Sequence, residues 1–136
     1  MGHKLLGMAK VNVRVSKMSD ALEFFEQALG GERLHDRGSD TIGEFDGATM
    51  RIGDVVLDFV SPNDPDGALA KNIEKRGQGI DSIAFRVENL DDTAAALKEL
   101  GIELINRTEY HGTRIGFIHP RAAFGMLIEL IETGAE

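Results

Sequence analysis

Lys10-Val-Asn-Val-Arg-Val-Ser16 is the stretch on which the fold turns. Apolar and polar residues alternate strictly, the signature of a half-buried strand: Val11, Val13 and Val15 face one way, Lys10, Asn12 and Arg14 the other. The pattern returns as Ser82-Ile-Ala-Phe-Arg-Val87. A displacement of 72 residues lays Lys10 on Ser82, Arg14 on Arg86, Val15 on Val87 and Met18 on Leu90. A repeat of this size marks a duplicated structural unit. Each copy has a one-sided apolar face, so the two must pack or pair.

Working outward, each copy continues the same way. Ser19 is placed to cap a helix over Asp20–Leu29, with Leu22, Phe25 and Leu29 on one stripe and Gly30-Gly31 ending it. Asn89-Leu90-Asp91 opens the matching helix, which Leu97, Leu100 and Gly101 close. Short strands follow: Thr41–Phe45 and Thr49–Ile52 around a tight turn at Asp46-Gly47, then Val55–Val60, ending at Ser61-Pro62. Glu103–Ile105, Thr113–Ile118 and Met126–Ile131 play these parts in the second copy. Between the copies, turn residues Asn63 to Gly67 lead into a short helix, Ala68–Arg76, stopped by Gly77. The expected class is α+β, two tandem βαβββ modules within a single domain over 9–136. Module 1 covers about 9–62, the connector about 63–79 and module 2 about 80–133.

Composition narrows the function. With no cysteine, disulfides, thiolate metal sites and thiol catalysis are excluded. A net charge of −8 without a basic cluster argues against nucleic-acid binding, which depends on neutralising phosphates. Tryptophan is absent and Tyr110 is the only tyrosine, which weakens readings built on stacked flat ligands. No apolar run reaches the roughly 18 residues of a membrane span. The opening residues, with His3 and Lys4, lack a signal-peptide core, so a cytoplasmic location is expected.

Ala70-Lys-Asn-Ile-Glu-Lys-Arg-Gly-Gln-Gly-Ile80 followed by Ile83-Ala-Phe85 resembles the centre of the methylmalonyl-CoA epimerases. Gly116-Phe-Ile-His-Pro120 followed by Met126-Leu-Ile-Glu-Leu130 resembles their last two strands. The likeness extends from about Lys10 to Glu132 and places the chain beside the vicinal oxygen chelate (glyoxalase/bleomycin-resistance) superfamily. That resemblance implies a cup-shaped open barrel from each module. It also implies a divalent metal held by a His opening each module's first strand and an acidic residue or Gln in each last strand. The matching positions here are Lys10, Asp58, Ser82 and Glu129, of which only the two carboxylates are ligand types. A lysine ammonium offers donors only and repels a cation. No cofactor is therefore expected; any metal would fall to Asp58 and Glu129.

In this reading Lys10 stands in for the metal and bridges Asp58 and Glu129, since a buried carboxylate needs a partner. Epimerisation beside a thioester needs a base, an acid and a positive group near the enolate oxygen. Asp58 or Glu129 could be the base, and Lys10 or Arg86 could stabilise the oxyanion. The structural alternative is an ion pair left where a metal site decayed. Asn12, Arg14, Ser82, Arg86 and His119 are the candidate substrate contacts. Arg14 and Arg86 could equally be rim charges, and His119 structural. Asp40, Glu44 and Asp46 compete for a further base, His111 lies in a matching loop, and His3 and His35 look incidental.

The expected activity is a metal-independent isomerase or lyase acting on a small anionic acid or acyl-CoA. Alternatives are a non-catalytic drug-binding protein of the bleomycin-resistance kind and a metal-dependent epimerase with unusual ligands. The expected partners are a small-molecule substrate and a second copy of the chain, because modules of this family commonly bury sheet edges against a partner. Nucleic acid and membrane are not expected partners.

Overall fold

A computed structural model describes residues 5–38, 45–110 and 112–133. In chain order it contains β1 (Leu5–Arg14), α1 (Met18–Leu29), β2 (Glu32–Gly38), β3 (Phe45–Ile52), β4 (Val55–Pro62) and α2 (Ala68–Arg76). β5 (Gly79–Val87), α3 (Leu90–Glu99), β6 (Ile105–Tyr110), β7 (Thr113–Ile118), a 3-10 turn at Pro120–Ala122 and β8 (Ile128–Glu132) follow. Strand, helix and three strands are thus written twice, the α+β order of tandem βαβββ modules. Two compact units divide the chain: Lys10–Asp81, and Ser82 onward together with the residues before Lys10.

In the first unit the strands lie in the order β2-β3-β4-β1. β1 runs parallel to β4, with Asn12 opposite Asp58 and Val13 opposite Phe59. β3 and β4 form an antiparallel hairpin closed between Ile52 and Val55. The tight turn is therefore Gly53-Asp54, where Gly53 takes φ +59. Asp46-Gly47 is not that turn: both residues lie within β3, paired with Ser61 and Val60. Glycine adopts positive φ without a Cβ clash, so the chain reverses at 53 and β3 runs on through 46–47. β2 is a strand that the sequence pattern did not signal, and most of the expected Thr41–Phe45 strand lies outside the described residues.

α1 covers one face of this sheet. Leu22, Val15, Ala48, Met50 and Phe59 are buried together, with Met18, Ala21 and Phe25 packed on them. The helix begins at Met18, and Lys17, not Ser19, is the capping residue, with no side-chain cap. Packing Met18 into the core outweighs the hydrogen bond of about 1 kcal/mol that a serine cap would supply. Gly31 lies so close to the core that a Cβ there would collide with the Met50 side chain at Sδ. Met50 is fully buried. Gly31→Ala is therefore expected to lower stability by about 1–3 kcal/mol through overpacking, readable as a reduced denaturation midpoint.

The second unit repeats the plan in the order β5-β8-β7-β6, with β5 parallel to β8 and β7 antiparallel to β8. Val87, Leu90 and Leu130 form its core, with Phe85, Leu97, Leu104, Ile118 and Ile128 against them. Here the expected cap is present: Asn89 accepts a hydrogen bond from the Asp92 amide at 2.9 Å. Glu132 of β8 adds another, accepting from the Leu90 amide at 2.6 Å.

Asp91, in the first turn of α3, accepts from Arg114 at 2.6 Å and Arg107 at 2.7 Å. The hydrogen bond from Arg114, followed by that from Arg107, holds its carboxyl below the usual carboxylate range. A depressed folded-state pKa contributes stability above the unfolded pKa, and that contribution is lost as pH falls through the folded value. Asp91→Asn is therefore expected to flatten the acid limb of the stability profile below about pH 4. Equal acid limbs in thermal denaturation of the two proteins would rule this out.

Candidate functional site

Strand parity divides each sheet into a helix-covered face and an opposite face, and the chemistry lies on the latter. In the first unit Val13, Phe59 and Ala48 form a cross-strand row under α1. The adjacent row is Asn12, Asp58 and Thr49, which pleating directs to the other side. Lys10 and Arg14 share that side of β1. Asp58 is only 4% exposed. Lys10 Nζ donates to Asp58 Oδ2 at 2.5 Å, a charge-assisted contact, with the lysine side chain as a whole about a quarter exposed (24%). A buried, paired carboxylate thus meets a lysine whose side chain is partly exposed and whose ammonium carries three N–H donors.

Arg14 is on the same strand but differently engaged. Its Nε donates to the Gly77 carbonyl at 2.8 Å and its Nη1 to the Ile80 carbonyl at 3.0 Å, with Asp81 Oδ1 at 3.2 Å. The side chain of Gln78 accepts from the Ser16 amide at 2.8 Å. Arg14 therefore clasps the segment after α2 to the end of β1 through Nε and Nη1.

The second unit has the corresponding row, Ala84, Glu129 and Phe117. The flanks differ: Asn12 and Thr49 beside Asp58 are polar, Ala84 and Phe117 beside Glu129 are apolar. Glu129 and Ser82 are both buried. Arg86 follows on the same side of β5, opposite Ile131. Unlike its repeat counterpart Arg14, Arg86 makes no hydrogen bond or ion pair among the described residues. The duplicated arginine has diverged in its partners among the described residues.

His119 is exposed and accepts a hydrogen bond at Nδ1 from the Arg121 amide at 3.0 Å. The ring caps the 3-10 turn, and its neutral form carries the proton on Nε2. Asp46 falls on the helix-covered side, in register with Ser61, and accepts from Asn63 at 3.2 Å. It therefore does not share the face of Asp58. Asp40, Glu44, His111 and His3 lie outside the described residues. Thr49 was missed from sequence; its signal was a lone hydroxyl between the buried apolar residues Ala48 and Met50.

The set Lys10, Asp58, Ser82 and Glu129 does not fit a divalent metal. One of its positions is a cationic donor already bonded to a carboxylate, and no imidazole is present at either histidine position. Among the described residues no group of three or more His, Asp or Glu side chains could hold a metal ion. Nor, among these residues, is any helix long and apolar enough to cross a membrane.

Comparison with known proteins agrees with this architecture. The family model described as Glyoxalase/Bleomycin resistance protein/Dioxygenase superfamily matches residues 7–130. The uncharacterized protein YqjC of Bacillus subtilis (strain 168) is 33% identical over 127 residues, covering 90% of this chain and 89% of YqjC. The crystal structure of methylmalonyl-CoA epimerase from Mycobacterium tuberculosis superposes with a TM-score of 0.83 at 30% identity, over 96% of this chain and 90% of that one. A methylmalonyl-CoA epimerase in complex with methylmalonyl-CoA and NH4+ gives 0.83 at 26% identity, over 97% of each chain.

Proposed function

Because the chain belongs to the Glyoxalase/Bleomycin resistance protein/Dioxygenase superfamily, we propose that it is an isomerase or lyase of small anionic acyl-CoA thioesters. It would work by carboxylate and lysine acid–base chemistry without a metal. The observation that carries this reading is the Lys10–Asp58 pair: a tethered ammonium on the helix-free face, at a position where the family resemblance implies a metal ligand. Removing the proton beside a thioester carbonyl puts negative charge on the carbonyl oxygen, and a fixed cation there lowers the barrier. Lys10 takes that role, held by Asp58 and offering its remaining N–H donors. Asp58 and Glu129 are the proton-transfer carboxylates. Arg86, with Asn12, Ser82 and His119, is assigned to substrate contact, and Arg86 is the best suited to an anionic group because its side chain has no partner among the described residues. The relative bound to methylmalonyl-CoA and NH4+ shows that an epimerase of this fold accepts an ammonium ion together with its thioester.

The test is solvent deuterium exchange at the α-carbon of methylmalonyl-CoA and propionyl-CoA, with protein stripped by chelator. Exchange that persists at the untreated rate supports the proposal. Exchange that disappears on chelation and returns with one equivalent of cobalt or zinc overturns it.

A homodimer belongs to the same reading, supported by the exposed Leu5, Leu6 and Met8 of β1. Light scattering at micromolar concentration should return about twice the 14.8 kDa chain mass, and a monomer would overturn the assignment.

A further inference from the structure

The loop between β7 and β8 carries a feature that the acid–base chemistry does not use. Phe124 has φ +58, in the left-handed region, and its side chain is 97% exposed. A bulky residue is rare there, because its Cβ crowds the backbone; glycine is the ordinary occupant. An aromatic ring in open water also forgoes all of its burial. Both choices work against stability, and both sit at one position.

The loop is rigid around that ring. The Ala123 amide donates to the Pro120 carbonyl at 3.0 Å, the Gly125 amide to the same carbonyl at 2.8 Å, and the Met126 amide to the Ala123 carbonyl at 3.0 Å. Ala123 is buried and anchors the turn. Gly125 follows with φ +90, so two consecutive left-handed residues turn the chain and present Phe124 outward. Three residues before it, Arg121 is exposed, and its guanidinium has no partner among the described residues. His119, with Nδ1 occupied, leaves Nε2 as a donor on the same loop. A preorganised aromatic face with an exposed guanidinium and an imidazole donor on the same loop suits a flat heterocycle bearing phosphate.

We infer that Phe124 and Arg121 form a docking platform for the nucleotide end of a CoA thioester, the adenine stacking on Phe124 and a phosphate meeting Arg121. The class of ligand rests on the acyl-CoA reading above; the platform rests on the loop's own geometry. Strain at φ +58 and an unburied ring are stability given up for binding, so the inference predicts opposite signs for stability and affinity.

The experiment uses Phe124→Gly and Arg121→Ala, with CoA, adenosine 3′,5′-bisphosphate and an acyl-pantetheine thioester lacking the nucleotide as calorimetric probes. Phe124→Gly should denature at an equal or higher temperature than the wild type. Its affinity for CoA and for the bisphosphate should fall by about 5- to 100-fold, with that for the acyl-pantetheine unchanged. Arg121→Ala should weaken only the phosphate-bearing probes. Unchanged CoA affinity, equal losses for CoA and acyl-pantetheine, or no binding of the bisphosphate to wild type would overturn the platform. A wild-type dimer that Phe124→Gly dissociates would also do so, by assigning the ring to a second copy. Deuterium exchange on the acyl-pantetheine reads the acid–base proposal separately. Its absence alongside Phe124-dependent CoA binding would sink the catalytic reading and leave the platform standing.

Discussion

Lys10→Met should lower folding stability by about 3 kcal/mol, or roughly 10 °C in Tm. The substitution leaves Asp58, whose side chain is 5% exposed, buried without the ammonium that contacts it at 2.5 Å. Breaking a buried pair by removing one partner costs about 3–5 kcal/mol, because the remaining charge stays desolvated. The lower end applies because the lysine side chain is 24% exposed and water screens part of the attraction. The double change Lys10→Met with Asp58→Leu should recover most of the loss, since an apolar pair of similar volume carries no desolvation cost. A double variant as unstable as Lys10→Met would show that the loss comes from packing of the lysine stem. Lys10→Met at wild-type stability would mean that the pair does not hold in solution.

Glu129→Gln should reduce α-proton exchange on methylmalonyl-CoA by about 10²- to 10⁴-fold, the usual contribution of a positioned general acid or base. The change is isosteric, and Glu129 is buried in β8 between Ala84 and Phe117, so the strand register should survive. If Glu129 transfers the proton, the loss falls on kcat with KM little changed, whereas Arg86→Ala should act mainly through KM. Stopped exchange assays with both variants separate the roles. Exchange at the wild-type rate in Glu129→Gln would remove Glu129 from the chemistry. A loss tracking a lowered Tm would give it a structural role instead.

Much of the architecture was legible because periodicity is a local property. The alternation at Val11, Val13 and Val15 and its return 72 residues later announce two copies of one unit. Both crossover strands were in the pattern: Val55–Val60 and Met126–Ile131 read as buried runs, and β4 and β8 are the strands parallel to β1 and β5. The short connector helix, Ala68–Arg76, and the Asn89 cap were equally readable from turn and capping residues. What misled was chemistry with two outlets. Asp46-Gly47 has the composition of a tight turn, yet Gly53-Asp54 serves, because only the tertiary register decides which glycine meets a strand reversal. Ser19 can cap a helix, but a cap yields when an apolar residue one position earlier has a core to enter.

The sequence by itself determined the duplication, the pairing of a lone carboxylate with each copy, and the loss of both histidines from the positions that the family resemblance marks. The first two follow from residue type and spacing, the third from the family resemblance. Only the tertiary structure decided how equivalent residues diverge. Arg14 and Arg86 occupy equivalent positions of the repeat, yet Arg14 meets the carbonyls of Gly77 and Ile80 while the Arg86 side chain meets none among the described residues. Lys10 is seated on Asp58 only because β1 and β4 run parallel in that register. The exposure of Phe124 is likewise invisible in one dimension, because it depends on how the loop after β7 turns. The physical reason is common to all three. Periodicity is written by burial, which is averaged over a whole face, whereas a side chain's partner depends on one register and one dihedral angle.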